Sequence, residues 1–466
     1  MGVEQARDVV VLGAGPAGLT AAWQAATNGH SVALLEQGDC VGGMAASFVV
    51  DGINVDHGSH RLHPATPPPV LAMVRELLGD DLQLRSRNGR LRIYDRWVGF
   101  PLRAGELVRA VPLAAAARIG RDTVGAPLRP RDTDSYASVL TASLGPELYQ
   151  AMYAPYAEKL WGLPGDEIDA EQARVRVTAD TPLKVASRIV RGQRRGPGRA
   201  FYYPRLGFGQ ISTALAEVVK AAGADLRLGS RVSGISTTGA SAVVTSGDGT
   251  RWRAGRVLST LPLPVLARLA DPAPPPAAIA DAQALRFRAM LLVYVGHRGG
   301  RWTPYDAHYL PGSQTPVTRI SEPANYRDSP GDPTGHSVLC AEIPCTVGDR
   351  LWSAGDGALA DLVSEAIART SLPSLARSSV QVRRLPHVYP VYARGFADRL
   401  VGLESWAEHL PHVTTLGRSG LFAHDNSHHA MVMGLAAADC LQAGGGWDEV
   451  RWTAARAGFR GHVVED

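Results

Sequence analysis

The apolar positions near the start of the chain predict a strand, a helix and a second strand. Residues 8–12 (DVVVL) form a short apolar run that is typical of a buried parallel strand. The segment 16–28 carries Ala, Leu and Trp at helical spacing, and residues 31–36 (SVALLE) are again mostly apolar. Together these segments predict one complete β–α–β unit with a turn after its first strand.

Farther along, the pattern predicts helical and strand-rich regions in succession. Residues 66–200 have a largely helical pattern that prolines interrupt, as at 67–69. A proline-rich joint at 271–276 (DPAPPP) marks an expected crossover between domains. The other predicted elements are a helix at 209–222, strands within 224–262, strands and loops of a second sheet at 287–296 and 305–345, a strand at 413–422 and a closing helix at 427–442.

The composition is that of an ordinary globular protein. With 466 residues, 45% of them hydrophobic and 20% charged, the chain is expected to form two domains. Its net charge of +4 is small for this length and gives no reason to expect nucleic acid as a partner. Only three of its 48 basic residues are lysines. This excess of arginine fits a general compositional bias, and it also suits bidentate binding of phosphate.

The cysteines and the beginning of the chain indicate the compartment. Cys40, Cys340, Cys345 and Cys440 are too few and too scattered for a disulfide framework, and none of them forms a CxxC pair. The first residues lead directly into a predicted strand, without the regions of a signal peptide. No apolar run approaches the ~18 residues needed to span a bilayer. We therefore predict a cytoplasmic protein without a transmembrane segment.

The turn after the first strand has the sequence GAGPAG, with glycines at positions 13, 15 and 18. Such glycines permit a tight turn and let the backbone approach a pyrophosphate at the N-terminus of the following helix. Glu36 ends the second strand, where an acidic side chain accepts hydrogen bonds from a ribose hydroxyl. A glycine-rich turn without a ligand is the alternative. The order of strand, helix, second strand and acid favours a dinucleotide site.

A second pair of glycines follows at once, in CVGGMAAS at 40–47. Gly42 and Gly43 would let the backbone approach the diphosphate or the flavin of the cofactor from the other side. NAD enzymes have no need of such a pair, whereas many FAD enzymes have one. An ordinary turn is the alternative for this pair alone, but with the first motif it favours FAD as the cofactor.

Three histidines, His57, His60 and His63, lie within seven residues (HGSHRLH). His60 and His63 could share one face, but no set of carboxylates or cysteines supports a metal site, and we predict no metal. Two interpretations remain: histidines held by hydrogen bonds near a turn, or a role beside the flavin.

Several arginines and tyrosines are candidates for binding an anion. Arg176 and Arg319 would each, on its own, be expected at the surface or in a salt bridge. The basic stretch 184–199 either binds anionic lipid or phosphate or is a solvated loop. Tyr389 and Tyr392 either line a pocket or pack around the intervening Pro390.

With these residues in view, the chain resembles the FAD-containing superfamily of amine oxidases, protoporphyrinogen oxidases and carotenoid desaturases. Within it, the chain resembles UDP-galactopyranose mutases in particular, over nearly its whole length. The N-terminal motif is common to the superfamily and specifies FAD rather than a reaction. The more selective segments are GSHRLH at 58–63, PYAEKLWG at 155–162, FYYPRLGFGQI at 201–211, VYPVY at 388–392 and GRSGLFAHDNSHHAM at 417–431.

The resemblance implies a role for each matched residue. His60, His63, Arg176 and Arg319 are the implied catalytic residues. The implied substrate-binding residues, with both arginines on the substrate diphosphate, are Trp161, Arg176, Arg319, Tyr389 and His424. Mutases commonly carry tyrosine at the position of His424. The implied cofactor contacts are Gly13, Gly15, Pro16, Ala17, Gly18, Glu36, Gln37, Gly42, Gly43, Met44, His60, Val232, Gly417, Arg418, Asn426 and Met431.

The resemblance and the order of elements together predict an α/β fold with two discontinuous domains. A Rossmann-type FAD-binding domain of the GR2 type would comprise residues 1–65, 205–270 and 410–450. An inserted mixed α+β substrate domain would comprise residues 66–204 and 271–409, with a helical part and a β-sheet part.

The function that the resemblance implies is a pyranose–furanose isomerisation of a nucleotide-activated sugar. In that family reduced FAD supplies the covalent chemistry, and the arginines stabilise charge on the departing diphosphate. The expected partners are this small molecule and NAD(P)H or another reductant. The second hypothesis is an FAD-dependent oxidoreductase on the same scaffold, of the amine oxidase, protoporphyrinogen oxidase or desaturase type, or a sugar oxidase or dehydrogenase. The third is a protein that binds FAD or a nucleotide without catalysis.

Overall fold

The computed structural model describes residues 4–101, 104–126, 129, 134–176 and 200–464. The basic stretch 184–199 therefore lies outside the described residues. The strands, in chain order, are β1 (Glu4–Leu12), β2 (Val32–Leu35), β3 (Ser47–Val50), β4 (Ile53–Asp56), β5 (Leu82–Ser86), β6 (Gly89–Ile93), β7 (Arg96–Phe100), β8 (Ala200–Pro204), β9 (Asp225–Arg227), β10 (Val232–Ser236), β11 (Ala242–Ser246), β12 (Arg251–Ser259), β13 (Ala270–Asp271), β14 (Phe287–Arg298), β15 (Ala307–Tyr309), β16 (Arg319–Ser321), β17 (His336–Cys345), β18 (Arg377–Pro390), β19 (Val413–Thr415), β20 (Leu441–Gln442) and β21 (Gly446–Trp447).

The helices surround these strands, and α6 continues through a π-helical segment, Tyr149–Tyr153, into α7. In chain order they are α1 (Pro16–Thr27), α2 (Pro68–Leu78), α3 (Ala104–Ala110), α4 (Leu113–Val124), α5 (Tyr136–Leu144), α6 (Pro146–Leu148), α7 (Ala154–Trp161), α8 (Ala170–Arg176), α9 (Gln210–Ala221), α10 (Leu263–Leu269), α11 (Pro276–Ala284), α12 (Asp356–Arg369), α13 (Phe396–Glu408), α14 (Gly417–Gly420), α15 (Ser427–Ala438) and α16 (Glu449–Phe459). None of these described helices is long and apolar enough to cross a membrane.

The first sheet has eight strands, and its centre is parallel. β12, β1, β2 and β9 lie side by side in parallel, while β10 and β11 form an antiparallel extension beside β12. The last four residues of β1, Val9 to Leu12, have no exposed surface, because helices and strands cover both faces of the sheet. The predicted β–α–β unit is confirmed, with its helix α1 between β1 and β2.

Helix α1 packs closely against α15, which returns from the far end of the chain. A Cβ atom at Gly434 of α15 would lie only 2.5 Å from the carbonyl oxygen of Ala17. The missing side chain therefore lets the two backbones approach each other. This contact brings the last helices onto the N-terminal unit, around the turn with the glycine motif.

The second sheet has seven strands in the order β18, β14, β17, β16, β15, β6 and β7. All of its neighbouring pairs are antiparallel except β15 with β6. The two sheets draw their strands from different parts of the chain. We propose the predicted boundaries as those of the two domains.

Two of the predicted elements are wrong in detail. The strand expected at 413–422 ends at Thr415, because Gly417 adopts a φ of +78° and begins the short helix α14. The region 66–200 contains strands β5 to β7 besides its helices. In β6 apolar residues alternate with arginines, as in a half-buried strand, whereas Trp97 and Val98 are adjacent in β7, so the alternation is too short to stand out in the sequence. The predicted α/β class is confirmed.

Candidate functional site

A cavity of about 710 Å³ opens where the parallel strands β1 and β2 end. Open α/β sheets bind their ligands at this carboxyl edge. Its wall combines the glycine turn at 13–17, the end of β2 at 35–37, the second glycine turn at 43–45 and the segments 59–61 and 417–419. The second sheet contributes Tyr309, Thr318, Arg319 and Glu342 to the same wall. Both sheets therefore face one site.

The glycines of the first motif have different reasons to lack a side chain. Gly13 has a φ of +97°, and a Cβ atom there would lie 2.3 Å from Oγ1 of Thr260. A Cβ atom at Gly18 would lie 1.9 Å from the carbonyl oxygen of Gly13. At Gly15, by contrast, a Cβ atom would meet no protein atom within 4 Å. Two glycines therefore close the turn, and Gly15 leaves space on the cavity side.

This space lies at the N-terminus of α1. Gly15 is the N-cap residue of this helix, and it has no side chain that could accept a hydrogen bond from the first turn. Pro16 occupies the first turn, where its missing N–H group costs nothing. The N–H groups of a first turn and the positive end of the helix dipole together favour a phosphate. The turn thus fits the diphosphate of a dinucleotide.

Glu36 holds this turn from the neighbouring strand. Its carboxylate accepts hydrogen bonds from the backbone N–H groups of Ala14 and Gly38, both at 2.8 Å. A carboxylate offers about four lone-pair sites, so it retains acceptor capacity toward the cavity that it lines. Glu36 therefore fits the predicted role of accepting hydrogen bonds from a ribose.

The second glycine pair and the C-terminal segment lie beside the first turn. Gly42 has a φ of +105° and donates its N–H group to the carbonyl of Ala14 at 2.8 Å. Gly43 adopts a φ of +54° and faces the backbone of Gly15. Gly417 approaches from the other side, because a Cβ atom there would lie 3.0 Å from Cβ of Ala17. Three segments distant in sequence thus form one backbone cradle that fits FAD.

The structure separates the three histidines of HGSHRLH. His60 lines the cavity and stacks on Phe208, with ring centroids 5.3 Å apart. Burial, together with the nearby charge of Arg319, lowers the pKa of His60 to about 3, so this imidazole is neutral. His57 lies within hydrogen-bonding distance of the carbonyl of Gly43. His63 accepts the N–H group of Ala65 and does not line the cavity.

Arg319 reaches the cavity from β16 and is held by a carboxylate. Its Nε and Nη2 donate to both oxygens of Glu342, at distances from 2.7 to 3.0 Å. Glu342 also accepts the N–H group of Ser59 at 2.9 Å, which ties this pair to the segment that carries His60. The carboxylate thus fixes one edge of the guanidinium, while Arg319 remains part of the cavity wall.

Tyr309 lies beside Arg319 and a second partly buried arginine, Arg61. The guanidinium of Arg319 lies 5.7 Å from the Tyr309 ring centroid, and Nη1 of Arg61 donates to its hydroxyl at 3.0 Å. Although burial opposes ionisation, these two charges lower the pKa of Tyr309 below its ordinary value. Arg61 is balanced by Asp306 at 3.3 Å.

A second cluster forms around Tyr389, near the end of β18. The guanidinium carbons of Arg176 and Arg418 lie 4.7 and 5.2 Å from the Tyr389 ring centroid. Arg418 donates to the carbonyl of Val388 at 2.9 Å and to that of Asp425 at 3.3 Å. Burial and the neighbouring Arg176 lower the pKa of Arg418. The two positive charges of Arg176 and Arg418 therefore lie close together in a part of the cavity wall that is largely shielded from water.

Most of the predicted site residues line the cavity, and six do not. His424 is buried beside Tyr389, with ring centroids 6.2 Å apart. Trp161 packs edge-on against Tyr136 in the core. Tyr392, the second tyrosine considered in the sequence, packs on Phe396 instead of the cavity. The predicted residues that do not line the cavity are Gly18, Gly42, His63, Trp161, His424 and Met431.

Sequence reasoning missed Lys159, a partly buried lysine that supports the site. Nζ of Lys159 donates to the carbonyls of Leu310, Gly312 and Val317, at 2.5, 2.8 and 2.9 Å. Lys159 thereby fastens the end of α7 to the segment that leads into Arg319. The sequence contained a signal, because Lys159 lies in the matched segment PYAEKLWG, but its three acceptors lie about 150 residues away.

The cavity wall is strongly positive among the described residues. Its three carboxylates already have partners: Glu36 accepts two backbone N–H groups, Glu342 pairs with Arg319, and Asp425 contacts two histidines. The arginines in the wall are Arg61, Arg87, Arg176, Arg231, Arg268, Arg319 and Arg418. Such a wall attracts anions and repels cations.

Comparisons with known proteins indicate a flavin cofactor, which this geometry fits. A family model described as flavin-containing amine oxidoreductase matches residues 16–445. The chain is 46% identical to putrescine oxidase of Kocuria rosea over 83 residues, which cover 18% of this chain and 17% of that protein. It is 30% identical over 273 residues to a Mycobacterium tuberculosis protein, AofH, assigned as a flavin-containing monoamine oxidase, covering 55% of this chain and 57% of the relative. The matches thus span at most somewhat over half the length of these relatives.

Among solved structures, that of reduced UDP-galactopyranose mutase superposes with a TM-score of 0.81. The superposition covers 93% of each chain at 20% sequence identity. At an identity this low, the superposition shows that the two proteins have a common fold. The predicted fold with a parallel-sheet FAD-binding domain is therefore confirmed, and so is FAD as the cofactor.

Proposed function

We propose that this chain, which belongs to the flavin-containing amine oxidoreductase family of FAD-dependent enzymes, acts on a nucleoside-diphosphate sugar. The proposed reaction interconverts the pyranose and furanose forms of that sugar without net oxidation. The observation that carries the proposal is the pair Arg176 and Arg418, both beside the ring of Tyr389 and in the same cavity as the glycine cradle.

The glycine cradle, Glu36 and His60 would hold FAD, which when bound in its reduced form supplies the covalent chemistry of the proposed reaction. In this proposal Gly13, Gly15 and Gly18 form the turn at its diphosphate, and Glu36 accepts hydrogen bonds from its ribose. His60, neutral because burial lowers its pKa to about 3, offers an uncharged ring beside the isoalloxazine.

The arginines of the cavity would bind the substrate diphosphate and stabilise the negative charge that develops on it as it departs. Preorganised cations in a site shielded from water are well suited to this task. Arg418 is held by two backbone carbonyls and Arg319 by Glu342, so neither guanidinium must reorganise when the ligand arrives. Arg176, in the last described turn of α8, would complete the site.

An FAD-dependent oxidoreductase is the second candidate, and the two relatives named as amine oxidases favour it. An amine substrate is a cation at neutral pH, however, and seven arginines in the wall disfavour its binding. An uncharged or anionic substrate would fit that alternative better. NAD(P)H or another reductant would be required to reduce the flavin in the first proposal.

The two proposals differ in their need for oxygen. We would incubate the purified protein with UDP-galactopyranose and UDP-galactofuranose, reduced by dithionite under nitrogen, and separately oxidised in air. Interconversion only in the reduced sample, without consumption of oxygen, supports the isomerase. Turnover of an amine, a porphyrinogen or a sugar with consumption of oxygen, and none of either nucleotide sugar, would overturn it. A failure of both UDP sugars to bind would refute UDP-activated galactose as the substrate.

A further inference from the structure

Tyr309, at the end of β15, presents a phenolic hydroxyl to the cavity whose wall it lines. This hydroxyl accepts a hydrogen bond from Nη1 of Arg61 at 3.0 Å, and no described residue accepts its proton. The ring packs against Phe100, with centroids 5.0 Å apart, and this contact holds the side chain in place. The phenolic proton of Tyr309 is therefore available to a ligand in the cavity.

Tyr326 lies beside the same arginine but in a different environment. Nη2 of Arg61 donates to the hydroxyl of Tyr326 at 3.4 Å, and this hydroxyl also pairs with Oγ of Ser59 at 2.5 Å. Tyr326 does not line the cavity, and burial raises its pKa above the ordinary value. Of the two tyrosines that contact Arg61, only Tyr309 thus combines an unpaired hydroxyl proton with access to the cavity.

Three arginines of the cavity wall stabilise the anionic form of Tyr309. Although burial alone would raise the pKa of this hydroxyl, the charges of Arg61 and Arg319, the hydrogen bond from Arg61 and the charge of Arg87 lower it below its ordinary value. The carboxylates that balance these cations are Asp306 beside Arg61 and Glu342 beside Arg319. A phenol whose anionic form is stabilised can both donate and accept a proton, which suits general acid–base catalysis.

Tyr309 also lies near the expected position of the sugar in the proposed complex. The sugar is attached to the diphosphate, which we assigned to the arginines beside Tyr389, and its anomeric carbon must face the flavin ring beside His60. Arg319 is close enough to both His60 and Tyr389 to interact with them electrostatically. Its guanidinium carbon lies 5.7 Å from the ring centroid of Tyr309. Tyr309 therefore belongs to the part of the wall that is close to both places.

We propose that Tyr309 exchanges a proton with the sugar, as general acid when the sugar ring opens and as general base when it closes. This inference rests on the isomerisation proposed above. On opening, the bond between the anomeric carbon and the ring oxygen breaks, the electron pair stays on that oxygen, and the phenolic proton of Tyr309 goes to it. On closure, a different hydroxyl oxygen forms the bond to the anomeric carbon and gives its proton to the phenolate.

The exchange is balanced, because Tyr309 regains the proton that it donated and passes no electrons. The electron pair that the anomeric carbon needs while the ring is open belongs to the covalent chemistry of reduced FAD. The proton exchange itself requires no oxidant and no further reactant. It assigns to Tyr309 a task that none of the arginines in the wall can perform, since a guanidinium does not lose its proton in proteins.

Tyr309→Phe removes the proton and keeps the ring. In the interconversion assay with reduced protein under nitrogen, kcat should fall by about 10²- to 10⁴-fold, the range that general acid–base catalysis contributes. UDP should bind to this variant as it does to the unmodified protein, because the arginines assigned to the diphosphate are unchanged. Tyr202→Phe is the matched control. Tyr202 also accepts a hydrogen bond from an arginine, Arg75, at 2.7 Å, but it does not line the cavity.

The ionisation of Tyr309 gives a second readout that does not depend on turnover. In holoprotein whose tyrosines carry an NMR-active carbon isotope at Cζ, the signal of each tyrosine shifts as its hydroxyl ionises. We expect one signal to titrate below the ordinary tyrosine pKa of about 10, and we expect this signal to be absent from Tyr309→Phe. Tyr202→Phe should retain it.

The possible results distinguish this inference from the reaction on which it rests. Interconversion by Tyr309→Phe at the rate of Tyr202→Phe would overturn the role of Tyr309, and so would ionisation of Tyr309 only at or above its ordinary pKa. Loss of UDP binding in Tyr309→Phe would show a structural effect and would also contradict the proposal. If the unmodified protein interconverts neither UDP sugar, the proposed reaction fails, and the role of Tyr309 in it fails with it.

Discussion

The guanidinium carbon of Arg176 lies 4.7 Å from the ring centroid of Tyr389, and Arg418 lies 5.2 Å from the same centroid. The two arginines come from segments more than 200 residues apart, and burial keeps water from screening their repulsion. Burial, together with this proximity to Arg176, lowers the pKa of Arg418. An anion bound between them removes the repulsion, so the cluster is suited to a ligand that carries phosphate.

Replacing Arg176 by alanine should weaken the binding of UDP to the reduced protein by roughly tenfold to a hundredfold. Hydrogen bonds to a charged group contribute about 1.5–3 kcal/mol, and each 1.4 kcal/mol is about tenfold in affinity. Isothermal titration calorimetry measures the effect. Arg174→Ala is the matched control, because Arg174 lies on the same helix and pairs with Glu171 at the surface. Equal affinities of the two variants would exclude Arg176 from the anion site.

Replacing Glu342 by glutamine should destabilise the protein and increase its response to UDP. Removing one partner of a buried ion pair costs about 3–5 kcal/mol, because the other charge stays buried without compensation. A bound diphosphate would replace part of that compensation. The rise in melting temperature on adding UDP should therefore be larger in Glu342→Gln than in the unmodified protein.

The control for this experiment is Glu365→Gln, which breaks an exposed pair with Arg369 on α12. Exposed pairs contribute about 0–1 kcal/mol, so its melting temperature should hardly change. If UDP raised the melting temperature of Glu342→Gln no more than that of the unmodified protein, Arg319 would not face the diphosphate.

The parts of the fold that depend on local pattern could be predicted from the sequence. The apolar run of β1 and the helical spacing of α1 are properties of neighbouring residues, and both elements lie within a few residues of their predicted bounds. The hairpin of β6 and β7 was missed because its alternation is confined to the five residues of β6, in a region that is otherwise largely helical. The end of β19 depends on the φ of one glycine, Gly417, which the sequence does not fix.

In the site, too, residues close together in the sequence could be predicted from it, whereas contacts between distant residues could not. The glycine turn and Glu36 form a local motif, and the structure brings them together at one cavity. The family resemblance selected Arg176 and Arg319, since no spacing rule relates residues so far apart. The partner of Arg319, Glu342, and the tyrosine beside it, Tyr309, were not predicted. They meet Arg319 only through the pairing of β16 with β17 and β15.

Alanine at Gly15 and alanine at Gly18 should have different effects. At Gly15 the new methyl group meets no protein atom, so the protein should fold but bind FAD roughly tenfold more weakly or worse, about 1.4 kcal/mol. At Gly18 the methyl group would lie 1.9 Å from the carbonyl oxygen of Gly13, so the apoprotein itself should be destabilised. Flavin content and the melting temperature of the apoproteins distinguish the two effects. A Gly15→Ala protein with unchanged FAD affinity would contradict the close approach.

His60 should make the protein sensitive to acid. Its pKa falls from 6.5 to about 3 on folding, because burial and Arg319 disfavour the charged ring. Below pH 6.5 the unfolded chain takes up a proton at His60 that the folded protein does not. The free energy of unfolding therefore decreases as the pH is lowered from 6.5 to about 3. His60→Asn should flatten this dependence by up to about 1.4 kcal/mol per pH unit between pH 6 and 4. The exposed His409 provides a control that should leave the slope unchanged.

Lys159 should prove to be a positioning residue for Arg319. Its ammonium group holds three carbonyls, and the last of them, Val317, lies two residues before Arg319. Methionine at this position fills similar space but leaves the three carbonyls without their donor. Since an unsatisfied buried acceptor costs about 1–3 kcal/mol, Lys159→Met should lower the free energy of unfolding by roughly 2 kcal/mol or more. Chemical denaturation of the holoprotein measures this change.

The Lys159→Met variant also distinguishes between a role in positioning Arg319 and a role in stabilising the fold only. If Lys159 positions Arg319, UDP affinity in Lys159→Met should fall severalfold at temperatures where the protein is fully folded. Introducing Lys159→Met into an Arg319→Ala protein should then cause little further loss of UDP affinity, because Lys159 acts on the ligand only through Arg319. Lys220→Met is the control, since Lys220 forms an exposed pair with Glu217 on α9 and should change neither quantity. Additive losses in the double variant would show that Lys159 stabilises the fold without positioning Arg319.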